Sequence, residues 1–144
     1  SWRVEQVCLP PRQDLDEEKL LGVIGRPATE KETEKVKSKA ALMLTYKRRW
    51  ETPIPITCLQ LNGEVGILHL PGETFIEYQL FAQGLWPEAF VAVAGYGDLG
   101  PGYITLARSF AEGGYEPTDS FVSGEAEQIM RDAIERVMRP LGID

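Results

Sequence analysis

The residues in this sequence with most chemical potential are one histidine, one glutamate behind a Pro-Gly step, and two tyrosines around a glycine-rich run. His69 stands four residues before Glu73, and a histidine with a carboxylate suits zinc. One histidine and two distant cysteines nevertheless fall short of the three or four protein ligands zinc ordinarily takes. His69 also belongs to a strand-like run, whereas Glu73 lies beyond Pro71-Gly72, so His69 is expected to be a hydrogen-bonded sheet residue. No Gly-x-Ser-x-Gly elbow occurs, and nothing else points to a Ser-His-Asp nucleophile. Gly95-Tyr-Gly97-Asp-Leu-Gly100 fits the dinucleotide fingerprint directly after an apolar strand. Its context does not: Pro101-Gly102 follow where a helix should already be under way, and the chain ends at residue 144, too soon for the rest of such a fold. The glycines are expected to make a sharp turn instead.

Glu73 is more informative. A carboxylate immediately after a buried strand and a tight turn is presented at the strand's C-terminal edge, where α/β sites collect. The plainer reading is an acid at a helix start, favoured by the macrodipole. Tyr96 and Tyr103 flank the glycine loop that ends the next strand. They come near Glu73 if the two strands are neighbours and are ordinary loop aromatics if they are not.

The elements that would position these residues read as mixed α and β. Trp2–Leu9 alternates and stops at Pro10-Pro11, an edge strand and turn. Asp14-Leu-Asp-Glu17 predicts the capping box of a short helix ending by Gly22 or Gly25, and Thr29-Glu-Lys-Glu32 that of a long one. In the long helix Val36, Ala40, Met43, Leu44 and Trp50 fall near helical spacing, the charges between Glu30 and Lys39 form a solvated face, and Pro53 and Pro55 close it. Asn62-Gly63 between two apolar runs predicts a type I′ hairpin of strands 56–61 and 64–70, buried on both faces. A helix from Glu73 to Gln83, a buried strand from Ala89 to Ala94, a short helix capped by Thr105, and an amphipathic helix through Ala126, Met130, Ala133, Ile134 and Val137 follow. The expected fold is α/β: a mixed sheet with an antiparallel hairpin at about 56–70 and helices from 30, 73 and 126 packed on both faces.

A chain of 144 residues and 16.1 kDa is one domain's worth of protein and holds a real core. No apolar run reaches the roughly 18 residues of a membrane span. A net charge of -7 opposes a phosphate backbone, which argues against nucleic acid as a partner. Cys8 and Cys58 form neither a metal clip nor a disulfide framework and are expected to be two buried thiols, a disulfide staying open.

At Leu70-Pro-Gly-Glu73, at Val93-Ala-Gly95 through Tyr103-Ile-Thr105, and at Glu112-Gly-Gly-Tyr-Glu116, the chain resembles the neutral/alkaline non-lysosomal ceramidases, in particular divergent bacterial members. The likeness runs over about residues 54–138. It implies a zinc ion held by two histidines from an earlier part of the catalytic domain, by the glutamate of the Leu-Pro-Gly-Glu motif and by a tyrosine of the later loop. It also implies hydrolysis of an N-acyl amide, that of ceramide, within sphingolipid metabolism. By position, the glutamate and tyrosine ligands are Glu73 and Tyr103. The family's two histidines, and the serine and arginine around its substrate, have no counterpart in this sequence. Its Asn-x-Tyr-x-x-Tyr reads Asp98-Leu-Gly-Pro-Gly-Tyr103, without the first tyrosine.

The resemblance therefore implies either a single domain over 1–144 or the C-terminal part of a larger catalytic domain, carrying half a zinc site and inactive alone. Its partners would be the remainder of that domain and an N-acyl lipid or other amide. An exported or periplasmic location is expected on the same ground. The competing expectation is a non-catalytic structural or partner-binding domain that keeps the family's frame.

Overall fold

The computed structural model describes residues 1–27, 31–97 and 100–139. Four strands, β1 (Trp2–Val7), β2 (Ile54–Leu61), β3 (Val65–Pro71) and β5 (Phe90–Gly97), form one sheet in the order β1-β2-β3-β5. The first three run antiparallel to their neighbours and β5 runs parallel to β3. Asn62 at φ 45° and Gly63 at φ 79° make the β2–β3 turn, both in the left-handed region that a type I′ hairpin needs. Between β3 and β5 the chain makes the two-residue strand β4 (Glu73–Thr74) and helix α3 (Ile76–Leu85). After β5 come β6 (Tyr103–Ile104), two short helices α4 (Ser109–Glu112) and α5 (Tyr115–Asp119), and the long α6 (Ala126–Met138).

The core lies between this sheet and the pair α3 and α6. Ile56, Cys58, Leu68 and Leu70 point from one sheet face at Tyr78 and Ala82 of α3 and at Met130, Ala133 and Ile134 of α6, all fully buried. The apolar stripe read from the α6 sequence is the stripe that packs. Helices α1 (Glu17–Gly25) and α2 (Lys31–Arg49) pack on each other as a hairpin beside the sheet rather than on it.

The mixed α/β architecture follows the sequence, but the expectation of helices on both faces is corrected. The second face, with Val4, Leu59, Ile67, His69 and Ala94, carries no helix among the described residues, and Trp2 and Phe90 on it are 62% and 69% exposed. Apolar side chains at both odd and even positions of β2 and β3 do not distinguish a covered face from an open one. The Ala89–Ala94 strand is accordingly an edge, not a buried centre.

Local signals shifted in smaller ways. Asp16, not Asp14, caps α1 by accepting from the Lys19 N–H, because Asp14 is held by the Arg12 guanidinium. The capping box at Thr29 lies outside the described residues. Thr105 is buried and caps nothing; α4 begins four residues later. Cys58 is buried but Cys8 only half so, and both are free thiols.

Two outcomes test this packing. Ile67 and Leu68 are adjacent, 39% and 0% exposed. Leu68→Ala should cost about 2–5 kcal/mol of unfolding free energy in urea melts, and Ile67→Ala about 1 kcal/mol or less. Burial also pushes the Tyr46 and Tyr78 phenols well above their ordinary range. The unfolded chain releases phenol protons near pH ~10 while these two keep theirs. Stability should therefore hold below that pH and fall as pH rises through it, with a shallower fall in Tyr78→Phe.

Candidate functional site

The sequence Leu70-Pro71-Gly72-Glu73 ends β3 by steering it out of the sheet. The β3–β5 register shifts between His69 and Pro71, where Pro71 has no N–H to donate, and the ladder resumes at Pro71 opposite Gly97. Gly72 then takes φ 61° and crosses the loop after β5 so closely that an added Cβ would lie 2.7 Å from the Gly102 carbonyl oxygen. No residue but glycine fits such a contact. A Cβ on Gly100 would likewise meet the Gly72 nitrogen at 2.7 Å. Past the crossing, β4 and β6 pair in parallel, Glu73 beside Tyr103 and Thr74 beside Ile104. The Glu73 N–H donates to Gly102 O at 2.9 Å and the Phe75 N–H to Ile104 O at 3.2 Å.

Glu73 is thus a strand residue, not the first acid of a helix, and the helix-start reading is corrected; α3 begins three residues later. β3, which leads to Glu73, and β5, which carries Tyr96, are neighbours, so the loop tyrosines do come to it. Tyr96 Oη donates to Glu73 Oε1 at 3.0 Å, and this bond, then the carboxylate's charge, raises the Tyr96 pKa. Tyr103 is raised too, first by desolvation and then by the Glu73 charge. Its ring is braced edge-on by Tyr115, with centroids 5.8 Å apart, which gives the Gly-Gly-Tyr-Glu run a structural role. Tyr96 holds a φ of 63°, a conformation that costs a non-glycine residue about 1–2 kcal/mol.

Glu73, Tyr96 and Tyr103 are among the residues lining a cavity of about 820 Å³, within the usual range for small-molecule sites. Much of the remaining lining is apolar: Leu42 and Tyr46 from α2, Trp50 just after it, Ile54 and Pro55 at the start of β2, and Phe121. Tyr46 is fixed by donating to Leu9 O at 2.6 Å and by its tilted contact with Phe121. Lys39 also lines the cavity, ion-paired to Asp119. The Arg12 guanidinium holds Asp119's helix in place, donating to Pro117 O at 2.8 Å and Thr118 O at 3.1 Å. The α2 wall and the Lys39–Asp119 pair gave no sequence signal, because they join residues far apart in the chain and read locally as a helix surface and a loop acid.

His69 lies on the other side. A Cβ on Gly97 would fall 2.2 Å from His69 Nε2, so the imidazole lies against that glycine's backbone, and it lines the open sheet face with Trp2, Thr57 and Ile67. It does not reach Glu73's cavity. Among the described residues no three His, Cys, Asp or Glu side chains gather closely enough to hold a metal. One carboxylate and an adjacent phenol fit zinc as oxygen donors but do not complete its coordination. The dinucleotide reading fails on topology: Gly100 leads into β6, not into a helix.

Gly72→Ala tests the crossing. It should lower unfolding free energy by at least about 1 kcal/mol, since a side chain is incompatible with both the φ and the space. Amide exchange should lose protection at Glu73 and Phe75 while Leu68 and Val91 keep theirs.

No protein-family model, curated protein or solved structure matches the chain, so likeness to known proteins stands on the motif residues alone.

Proposed function

We propose that this chain supplies half of the zinc site of an amide hydrolase resembling the neutral ceramidases, with Glu73 and Tyr103 as ligands. In this reading it is the C-terminal part of a larger catalytic domain and inactive by itself. The observation that carries it is the β4–β6 pairing, which sets Glu73 and Tyr103 side by side in the lining of one cavity. The electrostatics agree. Glu73 has no ion-pair partner among the described residues, although two cations line the same cavity, Lys39, which is paired with Asp119, and Arg49. An unpaired carboxylate facing an apolar cavity is a place where a cation is strongly favoured.

Zinc held there would supply Lewis acidity to polarise an amide carbonyl and to generate a nucleophile from water near neutral pH. The protein's own part is separate. Tyr96 and Tyr103 surround the carboxylate with neutral phenols, the glycine crossing fixes its position, and the wall of Leu42, Trp50, Ile54 and Phe121 offers an apolar bed for the alkyl portion of an N-acyl substrate. The imidazoles the family uses would come from elsewhere in the polypeptide. Ceramide is less well supported than N-acyl amides in general, because the loop lacks the family's first tyrosine. Its position is Gly100, where the crossing leaves no room for a side chain.

A second reading, a non-catalytic module that binds a partner, is favoured by one observation. The open sheet face exposes Trp2, Val4, Ile67 and Phe90 together, the kind of apolar patch that marks an interaction surface. Zinc titration of the intact parent protein separates the two readings. Hydrolase function predicts stoichiometric zinc in the wild type and at least a tenfold weaker affinity in Glu73→Ala. Equal zinc content in both would refute the ligand assignment, and no uptake by either favours the module.

A further inference from the structure

Tyr96 is the residue whose type neither packing nor backbone preference explains. Its φ of 63° lies in the region that bulky side chains avoid and glycine enters freely. Its side chain is 76% exposed, so burial gains it little. Gly95 and Gly97 flank it, and a third glycine would make the same turn without strain. What the tyrosine gains is a single polar contact, its hydroxyl on Glu73 Oε1 at 3.0 Å. Its backbone is tied to the same step of chain, the Tyr96 N–H donating to Gly72 O at 2.7 Å. Both ends of Tyr96 are therefore fastened to Gly72-Glu73. Strain maintained by its surroundings at the edge of a cavity is a pointer to function.

We infer that Tyr96 is a positioning residue for Glu73: its hydroxyl engages Oε1, holds the carboxylate in one orientation, and leaves Oε2 for a cation in the cavity. The inference rests on the zinc reading and extends it to a residue that is not itself a ligand. Hydrogen bonds from outside the coordination sphere strengthen metal binding about 10- to 100-fold.

Calorimetric titration of zinc into the intact parent protein, alongside thermal melts of the metal-free forms, tests it with Tyr96→Phe, Tyr96→Gly, Glu73→Asp and Glu73→Asp/Tyr96→Phe. Tyr96→Phe, which keeps the ring and the strain, should weaken zinc binding about tenfold or more. Tyr96→Gly removes hydroxyl and strain together and should bind zinc as weakly while melting no lower than the wild type. A purely structural Tyr96 would give the reverse, a lower melting temperature with zinc affinity intact. Against Glu73→Asp, whose shorter carboxylate falls out of the phenol's reach, Tyr96→Phe should cause no further loss. An undiminished loss in that background would make Tyr96 a direct ligand and overturn the inference. Unchanged affinity in Tyr96→Phe beside a zinc-binding wild type removes Tyr96's role and leaves the zinc reading standing. A wild type that takes up no zinc defeats both.

Discussion

Everything at this site depends on two stretches of backbone touching without side chains between them. Gly72 and Gly102 approach until a single added carbon on the first would sit 2.7 Å from the carbonyl oxygen of the second. That contact lets a strand leaving the main sheet pair at once with a loop leaving the adjacent strand. The pairing turns two residues thirty positions apart into neighbours, Glu73 and Tyr103. A side chain at Gly72 would push the two strands apart and strain the hydrogen bonds from Glu73 and Phe75. The glycines thus act through what they omit, whereas a dinucleotide-binding loop uses similar residues to admit a phosphate.

Most of the frame was legible because its signals are local. Asn62-Gly63 marks the hairpin through its own backbone preference, and the α6 stripe declares which side packs. That Glu73 and the loop tyrosines converge was conditional on two strands being neighbours, a relation sequence poses without answering. The parallel β3–β5 pairing supplies it. The errors have one physical source. A run such as Ile56–Leu61 records that its residues are apolar but not what covers them, so the open sheet face was read as covered. Glu73 was readable as a helix cap because a Pro-Gly step before an acid precedes helices and bridges alike. Long-range pairs such as Lys39–Asp119 leave no periodic trace at all.

The open sheet face and the Glu73 cavity are separate features of the fold. A sheet protected by α3 and α6 on one side alone, with Trp2 and Phe90 more than half exposed on the other, leaves a surface that water does not favour. Glu73 and Tyr103 pair away from that surface, on the cavity that α2 also lines. A further layer of protein against the open face would cover the surface alone. The cavity that holds Glu73 lies toward α2, while His69 is on the open face, so a layer over that face would leave the cavity uncovered.

The charge at the site shows why phenols rather than cations surround it. An arginine or lysine beside Glu73 would neutralise the carboxylate and remove its attraction for any incoming cation. Tyrosine hydroxyls donate hydrogen bonds while staying neutral, and here both phenols hold their protons more firmly, Tyr96 through its bond to the carboxylate and Tyr103 first through desolvation and then through the carboxylate's charge. The acid is oriented by the Tyr96 hydroxyl and lines the cavity. Of the two cations that line the cavity, Lys39 and Arg49, Lys39 is held by Asp119, whose helix is pinned through its carbonyls by Arg12.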